Sequence, residues 1–258
     1  MTVVTLLEKA YGSFSTRSFE TMLRELCGDL KIKVRVQGTS PRGWIKINVS
    51  GDDEAVALRL MDREIGLAPV SPEGTDGASV LRGKLVDSTK SRTELYVDVG
   101  LSDSGIYDAF VPLWRLQAQL GDGRKTPLQR LVELFCLFDF ASLSIRIVSD
   151  LRSEKEAYEA ELSENQLSRF SDWLKSNLDR LIVFGASHGE VVNAVERAHH
   201  FRDVSQIETL GPLEHALLCK LGTDAVGLVP RLGPHLNAAN LAPFSPRKIK
   251  QLIDRQSL

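Results

Sequence analysis

Gly83-Lys84-Leu85-Val86, Tyr96-Val97-Asp98-Val99-Gly100 and Ala109-Phe110-Val111-Pro112-Leu113 are the three runs whose reading decides the fold of this chain. Each is short, rich in β-branched and aromatic residues, and bounded by turn-forming Gly, Ser or Asp. They predict strands over Ser79–Val86, Glu94–Gly100 and Tyr107–Leu113, with a further strand over Leu143–Val148. One short helix falls between them. Thr126 suits its N-cap, Pro127 its first position, and Gln129 completes a capping box, so the helix should run to about Phe135. Short strands with a single helix predict a β-barrel module over residues 78–150.

Working outward, residues 2–7 read as a buried strand. Ser15 or Thr16 caps a helix in which Phe19, Leu23 and Leu26 share a face. Ile32, Val34 and Val36 then alternate with Lys31, Lys33 and Arg35, as in a half-buried strand, and Trp44–Val49 is another. Residues 52–65 form a helix ended by Gly66. The order β-α-β-β-α predicts a ferredoxin-like α/β domain over residues 1–70, with Pro69–Gly77 as a linker.

On the other side, residues 151–178 are charged, and Ser153-x-x-Glu156 and Ser163-x-x-Gln166 both have capping-box spacing. They predict a helical connector in two pieces. Residues 179–258 then read as a C-terminal α/β domain. It has strands over Leu181–Phe184 and Val204–Leu210, and a helix capped by Ser187 and Glu190. A hairpin is expected to join Leu217–Leu221 to Val226–Val229 around Gly222-Thr223-Asp224, and a basic helix to begin at Pro246 behind Ser245. Leu217–Pro230 also echoes Leu95–Pro112: strand, Gly turn, apolar pair, Pro. The fold class expected for the whole is therefore α+β, in several modules.

The 258 residues are 43% hydrophobic and 26% charged, ordinary for a globular protein with a real core. No apolar run approaches the roughly 20 residues of a membrane span. Met1–Leu7 lacks a basic start and a cleavage site, so it reads as a strand and not as a signal peptide. Cys27, Cys136 and Cys219 are far apart in apolar surroundings, which points to buried thiols in a reducing cytoplasm. The net charge of −2 hides an asymmetry: residues 151–219 carry −5 and residues 220–258 carry +4.

The three opening runs resemble the S1 family of OB-fold domains. That resemblance implies a barrel that binds single strands on its open face, with Tyr96 and Phe110 at the family's stacking positions. Lys84, Arg92 and Arg115 are then phosphate contacts, since stacked rings and nearby cations are how such barrels hold a strand. The sequence departs from the pattern at Ala109, where Gly is usual, and in the long loop Leu101–Ile106. The alternative is that both rings pack inside the protein. Arg247, Lys248 and Lys250 open the last helix, where cations oppose the helix dipole, so a phosphate contact is again a candidate role beside simple solvation.

Other motifs are weaker. Trp44 is either an exposed platform or a core aromatic. Phe184-Gly185-Ala186-Ser187-His188-Gly189 starts a helix without a full phosphate-loop pattern. His188, His199, His200, His215 and His235 lack zinc spacing with any Cys, so neither a metal nor a cofactor is expected. Lys220, Asp224 and Arg231 surround the Gly222 turn and are the best polar cluster of the C-terminal half.

Ser187-His188-Gly189-Glu190, Arg202-Asp203-Val204, Glu214–Leu228 and Phe244–Ile249 carry a second resemblance, to the archaeal family known as domain of unknown function 2110. It covers nearly the whole chain, implies an archaeal cytoplasmic protein, and supplies no activity. The leading expectation is a non-catalytic accessory protein that binds single-stranded RNA or a ribonucleoprotein. It would use the barrel face, the C-terminal helix, Lys220 and Arg231. The rivals are a protein-interaction scaffold using the barrel and a nucleotide- or RNA-processing enzyme at the Gly222–Asp224 loop.

Overall fold

The computed structural model describes residues 1–12, 14–68, 80–100, 108–148 and 157–254. The expected linker, the long loop at 101–106 and the capping box at Ser153 lie outside these residues. The architecture is mixed α+β: a closed five-stranded barrel and two further four-stranded sheets.

The first sheet is built from β1 (Thr2–Lys9), β2 (Ile32–Thr39), β3 (Trp44–Gly51) and β4 (Leu67–Ala68), in the order β2-β3-β1-β4. Helices α1 (Thr16–Cys27) and α2 (Glu54–Glu64) cover one side. Ser15 caps α1 by accepting from the Ser18 amide. Leu6, Val34, Ile45, Ile47 and Val49 point under the helices and meet Phe19, Leu23, Ala57 and Met61. This is the alternation read from Ile32-x-Val34-x-Val36.

The barrel closes in the order β5-β6-β7-β9-β8. Its strands are β5 (Val80–Val86), β6 (Glu94–Asp98), β7 (Ala109–Pro112), β8 (Ser142–Ile147) and β9 (Tyr158–Leu162). Leu85, Leu95, Val97, Ala109, Val111 and Ile145 fill it and are essentially inaccessible. Gly83 is required there, because a Cβ would lie 2.5 Å from the Asp98 carbonyl oxygen. Helices α3 (Leu113–Leu120) and α4 (Leu128–Phe135) follow β7.

Three elements differ from the expectation. The connector is not wholly helical: β9 within it is the barrel's last strand, running parallel to β7. Its Ala160 and Leu162 face the barrel core while Glu159 and Glu161 face outward. Those glutamates made a strand look like a solvated helix. Next, α4 starts at Leu128 with Pro127 as its cap and no side-chain cap bond, and Thr126 is buried before it. Finally, Val226–Val229 is not a hairpin strand. It lies in α7 (Ala225–Leu232), capped by Asp224, which accepts from the Gly227 amide at 2.7 Å. The echo with residues 95–112 therefore joins a strand to a helix and is no repeat.

The second sheet contains β10 (Arg180–Phe184), β11 (Val204–Gly211), β12 (Glu214–Cys219) and β13 (Asn240–Phe244), in the order β11-β12-β10-β13. Helix α6 (His188–Arg197), capped by the Ser187–Glu190 box, packs with α7 on one side over Leu181, Val183 and Leu217. Helices α5 (Glu164–Ser176) and α8 (Pro246–Asp254) lie on the other side. The path β-α-β-β-α-β and the strand order match those of the first sheet.

Candidate nucleic-acid interface

The barrel's outer surface is where the expected stacking rings and cations would act. Lys84 leaves β5 on that side but is only 1% exposed. Its ammonium lies 2.8 Å from Glu8 of β1 and also pairs with Glu214 of β12. Glu214 further accepts from the Ser142 amide at 2.9 Å and its hydroxyl at 3.0 Å. Burial opposes the charge on Lys84, but Glu214 and Glu8 outweigh it and hold the pKa above the ordinary lysine value. Burial pushes Glu8 up to about 7, against the pull of Lys84. A charge so enclosed would be costly to bury without such partners.

A second buried node lies beside it. Lys9 reaches Asp98 at 2.6 Å, and Arg42 reaches Asp98 and Asp108, each at 2.8 Å. Asp98 also accepts from the Gly100 amide, and Asp108 from the Val99 amide. Lys9 sits 4.7 Å above the Trp44 ring, which is buried and so is the core aromatic of the two readings. These bonds join the first sheet to the barrel.

The remaining expected residues divide as follows. Phe110 is 2% exposed and enclosed. Tyr96 beside it is half-buried and donates to Glu94 at 2.7 Å. Arg115 is paired with Glu159 and Glu161 at 3.0 and 3.1 Å and stacks on exposed Trp114. Glu159 and Glu161 thus occupy Arg115, and Glu94 occupies the Tyr96 hydroxyl, so neither group stands free for a nucleic acid. Arg92, Lys220, Arg231, Arg247, Lys248 and Lys250 are exposed. Arg231 lies 3.4 Å from His200, and Lys250 donates to Asn177 at 3.3 Å. Asp224 is occupied as the α7 cap. The ten expected residues do not form one surface.

A surface that the sequence reading did not single out does combine cations with accessibility. On the side of the first sheet away from its helices, Lys33 pairs in register with Ser50, Arg35 and Val3 with Asn48, and Thr5 with Lys46. Lys33, Arg35 and Val3 are exposed, and Lys46, Asn48 and Ser50 are partly so. Among the described residues, none of the three cations has a salt bridge, and no Asp or Glu shares their register positions. The Asn48 side-chain oxygen is buried among them without a partner in the described residues. The signal was present as Lys31-x-Lys33-x-Arg35, which alone reads as any solvated strand face.

Among the described residues no His, Cys, Asp or Glu group is arranged to hold a metal, and the three cysteines are free and buried. Among the described residues no helix is long and apolar enough to cross a membrane.

Fold and surface together define a three-module α+β protein in which a barrel is locked between two sheets of identical strand order, one of them with a basic open face. The chain belongs to the DUF2110 family: the DUF2110 N-terminal domain matches residues 3–69 and the DUF2110 C-terminal domain matches residues 178–242. These matches cover the two sheet modules and leave the barrel between them. No curated protein matches the chain.

Proposed function

We propose that this chain is a non-catalytic RNA-binding protein whose contact surface is the open face of its N-terminal sheet. In this reading the N-terminal module is ferredoxin-like and the S1/OB-like barrel is a rigid spine, not the reader. The observation that carries it is that Lys33, Arg35 and Lys46 have no salt bridge among the described residues and share a face whose register positions hold no carboxylate. Cations on an edge strand such as β2 can serve simply to block edge pairing. Lys46, however, lies on the inner strand β3, where no edge needs protection. With Val3, Thr5, Asn48 and Ser50 as neighbours, the face offers phosphate contacts and hydrogen bonds but no exposed ring. Binding should therefore be weakly sequence-dependent and strongly salt-dependent.

Fluorescence anisotropy with a single-stranded RNA tests this. Replacing Lys33, Arg35 and Lys46 by Ser should flatten the slope of log K against log salt by about 2, at roughly 0.7 per lost contact. Replacing Tyr96 and Phe110 should leave the slope alone in a folded variant. An unchanged slope in the triple variant would end the proposal.

A protein-docking scaffold is the second reading. It is favoured by Phe201, Leu221 and Val226, which are 57%, 86% and 47% exposed and lie around one end of the second sheet. It predicts no RNA binding by the intact chain.

A further inference from the structure

His215 on β12 is 1% exposed, and its ring nitrogens have no hydrogen-bond partner of good geometry, only a loose approach to the Ala186 main chain. Buried polar groups are nearly always satisfied, so such a ring asks for an explanation. It lines a cleft of about 450 Å³ together with Met22, Leu26, Arg82, Arg169 and His188. The cleft draws walls from all three modules, within the usual size range of small-molecule sites.

Its polar groups are arranged for an anion. Arg82 is held by the main-chain carbonyls of Arg63 at 2.9 Å and Glu64 at 3.4 Å, which fix the guanidinium without neutralising it. Arg169 is exposed and has no salt bridge among the described residues. Among the described residues the one carboxylate in the lining, Glu64, is paired with Arg63 at 2.7 Å. His188 is the first residue of α6, a ten-residue helix whose positive end is partly answered by its own Glu190 carboxylate but has open space at Gly189. The His188 and His215 rings meet edge to face at 5.5 Å. Burial, and then His188, lower the His215 pKa to about 4, with the Ala186 main chain opposing. A neutral imidazole offers one donor and one acceptor, which suits a hydroxyl group. Met22, Leu26 and Leu210 supply an apolar wall.

We propose that this cleft binds a 5′-phosphorylated nucleoside. The phosphate would sit between Arg82, Arg169 and the first turn of α6, a sugar hydroxyl at His215, and the base against Met22 and Leu26. The chemistry is shared by a free mononucleotide and by the 5′-phosphorylated end of an RNA chain. The site is distinct from the open sheet face, and either can exist without the other.

The test is a titration of the full chain, followed through the histidine Cε1–H signals in a ¹H–¹³C spectrum. AMP should move the His188 and His215 signals saturably. Adenosine and inorganic phosphate should each bind at least about 10-fold more weakly, because each keeps only part of the contacts. Arg169→Ala, at an exposed position, should weaken AMP about 10-fold while leaving the fold intact. A 5′-phosphorylated hexanucleotide that reproduces the AMP shifts, where its 5′-hydroxyl counterpart does not, assigns the RNA end. Failure of that oligonucleotide beside a positive AMP titration assigns the free nucleotide. Unmoved His215 signals at millimolar AMP, or equal affinity for AMP and adenosine, overturn the proposal.

Discussion

The two four-stranded sheets follow one path and one strand order, yet they differ in what covers them. In the second sheet both faces are buried. Leu181, Val183 and Leu217 lie under α6 and α7, while Ile182, Phe184, Ala216 and Phe244 lie against α5 and α4. In the first sheet the helix side is covered, and the other side is covered at its Lys9–Trp44 end but carries Lys33, Arg35 and Lys46 beyond it. The same topology has thus become a structural slab in one place and a presenting surface in the other. What distinguishes them is one residue in two along each strand.

Cutting into the slab should be costly. Phe244 is fully buried and packs on Phe135, Phe170 and Trp173. Phe244→Ala should cost about 3–5 kcal/mol in urea unfolding. Lys84→Ala, which strands two carboxylates between the sheets, should cost on the order of 3–5 kcal/mol. A loss under about 1 kcal/mol would mean that the interior is wet there.

The pH dependence should separate the two sheets by sign. His215 in the second has its pKa lowered, so its contribution is present above about 6.5 and is lost as pH falls towards 4. Glu8 in the first has its pKa raised from 4.5 to about 7, so its contribution is present at low pH and is lost as pH rises through that interval. His215→Phe should remove the first dependence, and Glu8→Gln the second, in thermal melts from pH 4 to 8.

The smallest stability change is expected on the presenting side. Single replacements of Lys33, Arg35 or Lys46 by Ser should shift unfolding by no more than about 0.5 kcal/mol. A larger loss would show that the open face is a hidden core.

Much of this fold was legible in the chain. Alternation gave β2 and β3, caps gave α1 and α6, and the Gly-aromatic-apolar runs gave the barrel. The misses have local causes. Glutamates pointing out of β9 imitated a helix, and Val226-Gly227-Leu228-Val229 has no period to tell a helix turn from a strand. The equivalence of the two sheets is written in the order of elements, not in similar residues. The candidate site was less legible, because a lysine in a strand looks the same whether it ends in water or between two carboxylates. Lys84 and Lys33 differ only in what the rest of the chain brings to them.

Gly12 and Gly185 draw one more distinction. A Cβ on Gly12 would lie 2.5 Å from the Gly185 Cα, so the loop after β1 touches the loop after β10 backbone to backbone. Together with the Lys84 node, this contact makes the two sheet modules mutually dependent. A fragment ending before the barrel would expose Glu8 and Lys9 with nothing to answer them, and a fragment starting after it would do the same to Glu214. The protein should therefore melt in a single step.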